Sequence, residues 1–223
     1  MEKIINRFNT RCYGFSNWCY LIESMATSSA VIIDPAWEFD IFEKFLKRRN
    51  LKVEGILLTH SHFDHVNLVE KFIDTYHMPV FMSEAEIDYY NFKCQNLRSV
   101  KHNQKLLLKD IEINCYLTPG HTAGSTCFGI EENLFTGDTV FYEGCGICNT
   151  AGGSPQDMFH SIRFIKTYFS DRTRIFPGHV YGTSVGQSLM NVKRDNIYFN
   201  IKDIEQFEQF RMRKGQSGWF QFK

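Results

Sequence analysis

The sequence predicts an α/β protein with two sheets in one domain, on three observations. Short apolar runs of strand length alternate with amphipathic stretches of helix length, no linker or low-complexity segment interrupts them, and several runs end in a turn that carries a histidine or an aspartate. At 223 residues the chain is long enough to bury a substantial core, and it is read as a single domain over 1–223 with a C-terminal helical extension at about 200–223.

Strands are predicted near residues 3–8, 17–23, 30–34, 55–58, 79–82, 111–117, 126–130, 133–136 and 173–177, and helices near 39–49, 65–76, 83–91, 155–169, 184–195 and 201–213. Cys19 and Cys127 fall inside strands as small core residues. Gly55 to Leu58 reads as a buried strand, and Val66, Leu68, Val69, Phe72 and Ile73 as the inner face of the helix that follows. Helix 155–169 has the clearest start, with Ser154 as N-cap, Pro155 in the first helical position and Asp157 three residues after the cap. Met158, Ile162, Ile165 and Phe169 recur along it at helical spacing. In the last helix Ile201, Ile204, Phe207 and Phe210 form a drifting apolar stripe, and Gly215 is the stop signal.

Composition excludes several function classes. Lysine plus arginine, 25, equals aspartate plus glutamate, 25, so no net basic charge is available to grip nucleic acid. The start of the chain lacks the apolar stretch of a signal peptide, and no run approaches membrane-spanning length, which predicts a cytoplasmic protein. Seven scattered cysteines then read as reduced thiols.

The densest chemistry lies in Thr59-His60-Ser61-His62-Phe63-Asp64-His65, a strand-to-helix connection with four potential metal ligands. His60 and His62, two apart in extended chain, can point into one cavity, while Asp64 and His65 arrive as the helix begins and can aim at a neighbouring point. Three later turns add ligands: Thr118-Pro119-Gly120-His121, Thr136-Gly137-Asp138 and Phe176-Pro177-Gly178-His179. Imidazole with carboxylate suits zinc, iron or manganese, and a carboxylate can bridge two cations at about 3.5–4 Å. The absence of cysteine from these turns argues against a closed structural zinc site.

The HxHxDH loop, the later TPGH, TGD and PGH turns and their order resemble the metallo-β-lactamase superfamily, in particular its thioester-cleaving branch typified by glyoxalase II, over about residues 14–182. FSNWCYLIE, IDPAWE, THSHFDHVNL, TPGHTAGSTC, TGDTVFYEGCGIC and NIYF...FRMRK extend the likeness over nearly the whole chain to the zinc-dependent hydrolases of bacterial polyketide clusters whose acyltransferase is a separate protein. The resemblance implies an αββα sandwich with its site along the edge where the sheets meet. It also implies two zinc ions, with His60, His62 and His121 on one, Asp64, His65 and His179 on the other, and Asp138 bridging them. Asp138 stands where one lactam-cleaving subclass has a cysteine, which weakens an antibiotic-resistance reading.

The chemistry this implies is attack on an acyl thioester by a hydroxide held between the ions, with Asp64 chiefly positioning the second ion. Where glyoxalase II follows its GCG motif with a basic residue and then an aromatic one, this chain has Ile147 and Asn149, which disfavours glutathione. Tyr181 matches the family's tyrosine and can bond an amide of the thiol arm, and Arg211 and Lys214 are candidate contacts for its negative charge. The expected substrate is an acyl chain on an acyl carrier protein, or on coenzyme A or pantetheine. The alternatives are a hydroxyacylglutathione hydrolase, a persulfide dioxygenase with a single iron, and a non-catalytic accessory protein that binds acyl carriers. His77, His102 and His160 have no neighbouring ligand in sequence and read as solvated, and Cys145 and Cys148, a lone CxxC, read as loop packing rather than redox chemistry.

Overall fold

The computed structural model describes residues 3–213. The first sheet takes its six strands in chain order: β1 (Lys3–Cys12), β2 (Phe15–Ser24), β3 (Ser29–Ile33), β4 (Lys52–Leu57), β5 (Val80–Ser83) and β6 (Leu97–Val100). Its first three strands are antiparallel neighbours and the rest run parallel, which requires crossovers. These are α1 (Phe39–Arg49), then α2 (Phe63–Val66) with α3 (Val69–Tyr76), then α4 (Glu84–Tyr90). The second sheet holds β7 (Lys105–Leu108), β8 (Ile111–Leu117), β9 (Thr126–Ile130), β10 (Asn133–Gly137), β11 (Arg174–Pro177) and β12 (Gln187–Ser188) in the spatial order β12-β11-β10-β9-β8-β7. The long α5 (Pro155–Tyr168) connects β10 to the parallel β11, and α6 (Leu189–Asp195), α7 (Ile197–Asn200) and α8 (Ile204–Arg211) follow.

Strand alternation sorts the side chains into three apolar layers, as the twofold period of a strand requires. On β2 and β3, Tyr20, Ile22, Val31 and Ile33 meet Ile113, Phe128, Phe135 and Phe176 of the second sheet in a core between the sheets. The alternate residues Leu21, Ala30 and Ile32 face the other way, onto Phe42, Leu46, Phe72 and Ile73 of α1 and α3. A third cluster packs Cys127, Leu134 and Ile175 beneath Met158, Ile162 and Ile165 of α5 and Tyr198, Phe199 and Phe207 nearer the C-terminus. The layers are helix, sheet, sheet, helix: the αββα sandwich. Among the described residues, no helix is long and apolar enough to cross a membrane.

The α5 start follows its sequence signal, with Ser154 Oγ accepting from Asp157 N at 3.1 Å. Other boundaries differ for local reasons. The predicted helix 65–76 is two helices, broken where the Asn67 side chain donates to Phe63 O at 2.8 Å and accepts from Trp37 N at the same distance. The predicted helix 184–195 starts only at Leu189, because Gly186 adopts φ +86° and the preceding residues form β12. The predicted helix 201–213 contains α8 alone, preceded by the short α7, since Asn196 and Asp203 each cap a new start by accepting from Tyr198 N at 3.0 Å and Gln206 N at 2.9 Å. The sequence pattern missed β6, β7 and β12, which have only two to four residues each. Lys214 and Gly215 lie outside the described residues.

Candidate metal centre

The ligand-bearing turns sit on one edge of the sandwich, where backbone bonds tie the sheets together. Trp18 N of β2 donates to Gly178 O at 2.7 Å and Thr126 N of β9 donates to Thr59 O at 2.9 Å, while within the second sheet Gly178 N donates to Gly137 O at 2.9 Å. The first sheet thus presents His60, His62, Asp64 and His65 after β4, and the second presents His121, Asp138 and His179 after β8, β10 and β11. Gly178 is needed at this junction, because a Cβ there would lie 2.5 Å from the His65 ring and 2.8 Å from Asp138 Oδ1.

The structure brings all seven residues together in two adjoining sets. His62 Nδ1 lies 3.1 Å from His60 Nε2 and 2.9 Å from His121 Nε2. In the second set Asp64 Oδ2 lies 3.7 Å from His65 Nε2 and 3.3 Å from His179 Nε2. Asp138 stands between the sets, with Oδ2 at 3.5 Å from both His121 Nε2 and His179 Nε2 and Oδ1 at 3.5 Å from His65 Nε2. Ligand atoms held at about 2.0–2.1 Å on a tetrahedral ion stand about 3.3 Å apart, and the observed separations bracket that value.

Hydrogen bonds on the outer side of the rings fix which nitrogen faces inward. His121 Nδ1 donates to Ile147 O at 2.8 Å and His179 Nδ1 to Ser16 O at 2.9 Å, since a carbonyl can only accept. His65 Nδ1 donates to Asp34 Oδ2 at 3.0 Å. Thr59 Oγ1 gives its single proton to Asp34 Oδ2 at 2.6 Å, so at 3.0 Å it accepts from His60 Nδ1. With these assignments the Nε2 atoms of four histidines face inward, toward one another and toward carboxylate oxygens. Two of the inward atoms, His65 Nε2 and Asp138 Oδ1, are buried with no hydrogen-bond partner, an arrangement that costs free energy unless a cation fills it.

Electrostatics point the same way. Burial, aided by the neighbouring imidazoles, holds His60 well below the usual histidine range, and burial also lowers His62 and takes His121 down to about 4. These rings are therefore neutral and able to coordinate at neutral pH. Burial also works to lower His65, but Asp64, Asp138 and Asp34 outweigh it and raise His65 to about 10. His179 is raised against its burial by Asp138 and Asp64. Burial pushes Asp64 up, yet His65 and His179 reverse this and hold it well below the carboxylate range. The second set thus concentrates negative potential in a largely buried pocket, and its donor set fits a divalent cation.

Residues 12–104, which include the His60–His65 loop, match the family model described as the metallo-β-lactamase superfamily. The chain is 44% identical to the probable polyketide biosynthesis zinc-dependent hydrolase PksB of Bacillus subtilis, covering 98% of this chain and 97% of that protein. It is 45% identical, over the same shares, to the correspondingly named BaeB of Bacillus velezensis. The chain belongs to the metallo-β-lactamase superfamily. A crystal structure of a metallo-β-lactamase from Staphylococcus aureus superposes with TM-score 0.82 at 24% identity over 95% of this chain and 68% of that one, a likeness of fold.

Three further positions build this site without having been singled out as candidates: Asn17 and Asp34 lie within the FSNWCYLIE and IDPAWE stretches, and Glu86 lies in none of the motifs. Asp34, following β3, supports both Thr59 and His65 and accepts Thr59 N at 2.8 Å. Although Asp34 also clusters with His60 and His65, its oxygens are taken by these donors, so it acts behind the ligands. Asn17 donates to Asp64 Oδ2 at 3.0 Å and Asp64 O at 2.9 Å. Glu86, fully buried on α4, accepts from Ser61 N and Oγ at 2.8 and 2.7 Å with one oxygen, and from Thr122 Oγ1 and Gly124 N at 2.8 and 2.9 Å with the other. It thereby clamps the loop of His60 and His62 to the loop of His121.

The remaining sequence candidates divide. Tyr181 is half-buried, its ring 4.9 Å from Phe141 and 6.5 Å from His179, and burial raises its hydroxyl above the ordinary tyrosine range. Ile147 is half-buried and Asn149 exposed on the loop that holds His121. Arg211 is not the surface cation that the sequence suggests. It is 3% exposed, bonds Tyr198 Oη at 3.0 Å and lies among the buried thiols of Cys145 and Cys148, because the apolar stripe of α8 turns this side chain inward. Burial raises both thiols, Cys148 to about 12, so neither is a ready thiolate. His77 caps α3 in the left-handed region, exposed His102 accepts from Leu117 N at 3.1 Å, and exposed His160 rides α5; none belongs to the ligand sets.

Proposed function

We propose that the chain is a zinc-dependent hydrolase of polyketide biosynthesis that cleaves acyl thioesters carried on an acyl carrier protein or on coenzyme A or pantetheine. The observation that carries this reading is the two-part ligand centre with Asp138 between its halves. The names of the relatives supply the metal and the biosynthetic setting. In this reading His60, His62 and His121 would hold one ion, Asp64, His65 and His179 would hold a second, and Asp138 would contribute to both. Zinc supplies Lewis acidity and brings the pKa of water down toward about 7.

The chain's own residues supply orientation. The outward Nδ1–H bonds to Thr59, Asp34, Ile147 and Ser16 hold four rings in one tautomer, and Asn17 fixes the Asp64 carboxylate. Tyr181 keeps its proton and serves as a donor to an amide carbonyl of the thiol arm. A thiol of pKa about 8.5 leaves as its anion without a strong general acid, which suits a centre whose carboxylates are both committed to the ligand sets. Glutathione is disfavoured because Ile147 and Asn149 offer no positive charge to its carboxylates.

The test is thiol release by zinc-loaded protein from acyl-carrier, pantetheine and coenzyme A thioesters, with a chelated control. Turnover that chelation abolishes and zinc restores supports the reading. Failure on every thioester, with both ions bound, refutes it.

A further inference from the structure

An aromatic group stands beside the second ligand set. Phe63 falls between His62 and Asp64 and is 71% exposed. Its ring meets Trp37 edge-on at 5.8 Å, and Trp37 lies 5.7 Å from Phe15. One exposed phenylalanine needs no explanation, but Trp37 is held in an unusual way. Its backbone takes φ +65°, a region that bulky side chains avoid. Three bonds hold the tryptophan to the site: its N–H donates to Asn67 Oδ1 at 2.8 Å, its indole N–H to Asn17 Oδ1 at 2.7 Å, and Asn17 in turn donates to Asp64 Oδ2 at 3.0 Å. Strained backbone persists where the surroundings over-determine it, and such positions cluster at ligand sites. The partly exposed ring is thus registered to Asp64 through one asparagine.

We propose that Phe63, Trp37 and Phe15 form the seat for the acyl arm of the substrate, and that the arm is apolar. This rests on the thioester reading above. The thiol arm of pantetheine carries amides that call for polar partners, so three rings suit the other arm of the ester. An acyl chain ending in its own carboxylate would have to shed hydration against these rings and is disfavoured. Each buried methylene is worth about fourfold in affinity, so selectivity should rise with chain length.

The experiment compares acetyl, hexanoyl and succinyl pantetheine thioesters with zinc-loaded wild type, Phe63→Leu and Phe63→Ser, after metal content is checked. In wild type, kcat/KM should rise at least tenfold from acetyl to hexanoyl, with succinyl well below hexanoyl. Phe63→Ser should cut the hexanoyl-to-acetyl ratio to within about threefold, and Phe63→Leu should keep most of it. A flat chain-length profile in wild type, or equal losses on acetyl and hexanoyl in Phe63→Ser, overturns the seat while leaving thioester cleavage standing. Tighter binding of succinyl than hexanoyl also overturns it. If no thioester is cleaved, equilibrium binding of non-cleavable acetyl and hexanoyl ketone analogues of the pantetheine ester still decides the matter. Binding that strengthens with chain length and weakens in Phe63→Ser supports the seat, and its absence refutes it.

Discussion

His65 Nδ1 and Asp34 Oδ2 are joined at 3.0 Å in a fully buried bond, and Asp34 spends its remaining capacity on Thr59 N and Thr59 Oγ1. One carboxylate therefore sets the tautomer of His65 directly and, through the Thr59 hydroxyl, that of His60. Outer partners of this kind change metal affinity by about 10–100-fold. Asp34→Asn should lower zinc affinity by that order, because the amide is uncharged and presents an N–H to groups that also donate. Zinc titration against a competing chelator measures it, and wild-type affinity in Asp34→Asn would contradict the assignment.

Removing ligands should distinguish the two sets. Asp138 faces His121, His179 and His65 at 3.5 Å, so Asp138→Ala should weaken both ions, whereas His179→Ala should chiefly empty the second. Elemental analysis after dialysis reads this directly. Full double occupancy in Asp138→Ala is the result that rejects a shared carboxylate.

The site and its supports were unequally legible in sequence. His60 to His65 are local, and His121 and His179 each follow a Pro-Gly turn, so short-range pattern brings them forward. Asn17, Asp34 and Glu86 act across 47, 31 and 36 residues on Asp64, His65 and Thr122, and no local pattern encodes such distances. Glu86 shows the difficulty: within Glu84-Ala85-Glu86-Ile87-Asp88 it reads as one more solvated helix acid, and only packing of α4 against Gly124 buries it. Strands fared similarly. The long apolar runs of β2, β3 and β8 stand out, while Lys105 and the half-exposed leucines of β7 look like loop.

Glu86 should be structural before it is functional. Its four donors lose their acceptor in Glu86→Ala, and each buried group left unsatisfied costs about 1–3 kcal/mol. Chemical denaturation of chelated protein should show a loss on the order of 3 kcal/mol or more, independent of metal. Glu86→Gln should lose less, since the amide oxygen still serves one pair of donors while its NH₂ opposes the other. Unchanged apo-protein stability in Glu86→Ala would refute the clamp.

Ile147 and Asn149 give a substrate prediction independent of the acyl arm. Ile147 is half-buried, its carbonyl holding His121, and Asn149 is exposed; neither offers a positive charge to a carboxylate. Pantetheine or carrier-protein thioesters should have at least tenfold higher kcat/KM than S-lactoylglutathione, about 1.4 kcal/mol of transition-state binding. A preference for the glutathione ester would reverse the substrate assignment without touching the metal centre.

Arg211 yields the last prediction, and its burial sets the form. As a surface cation it would steer an acidic carrier protein, and its removal would raise KM in a salt-dependent way. Inside the protein it instead bonds Tyr198 Oη at 3.0 Å and lies beside the thiols of Cys145 and Cys148. Those cysteines flank Ile147, whose carbonyl orients His121. Loss of the guanidinium opens a gap and strips Tyr198 of a charged donor, which should cost about 2 kcal/mol or more in stability. Arg211→Ala should therefore lower the unfolding midpoint and weaken zinc binding, with kcat/KM reduced by the same factor on carrier-bound and small thioesters at low and high salt. A KM defect confined to the carrier-bound substrate and erased by salt, with stability unchanged, would return Arg211 to the substrate surface.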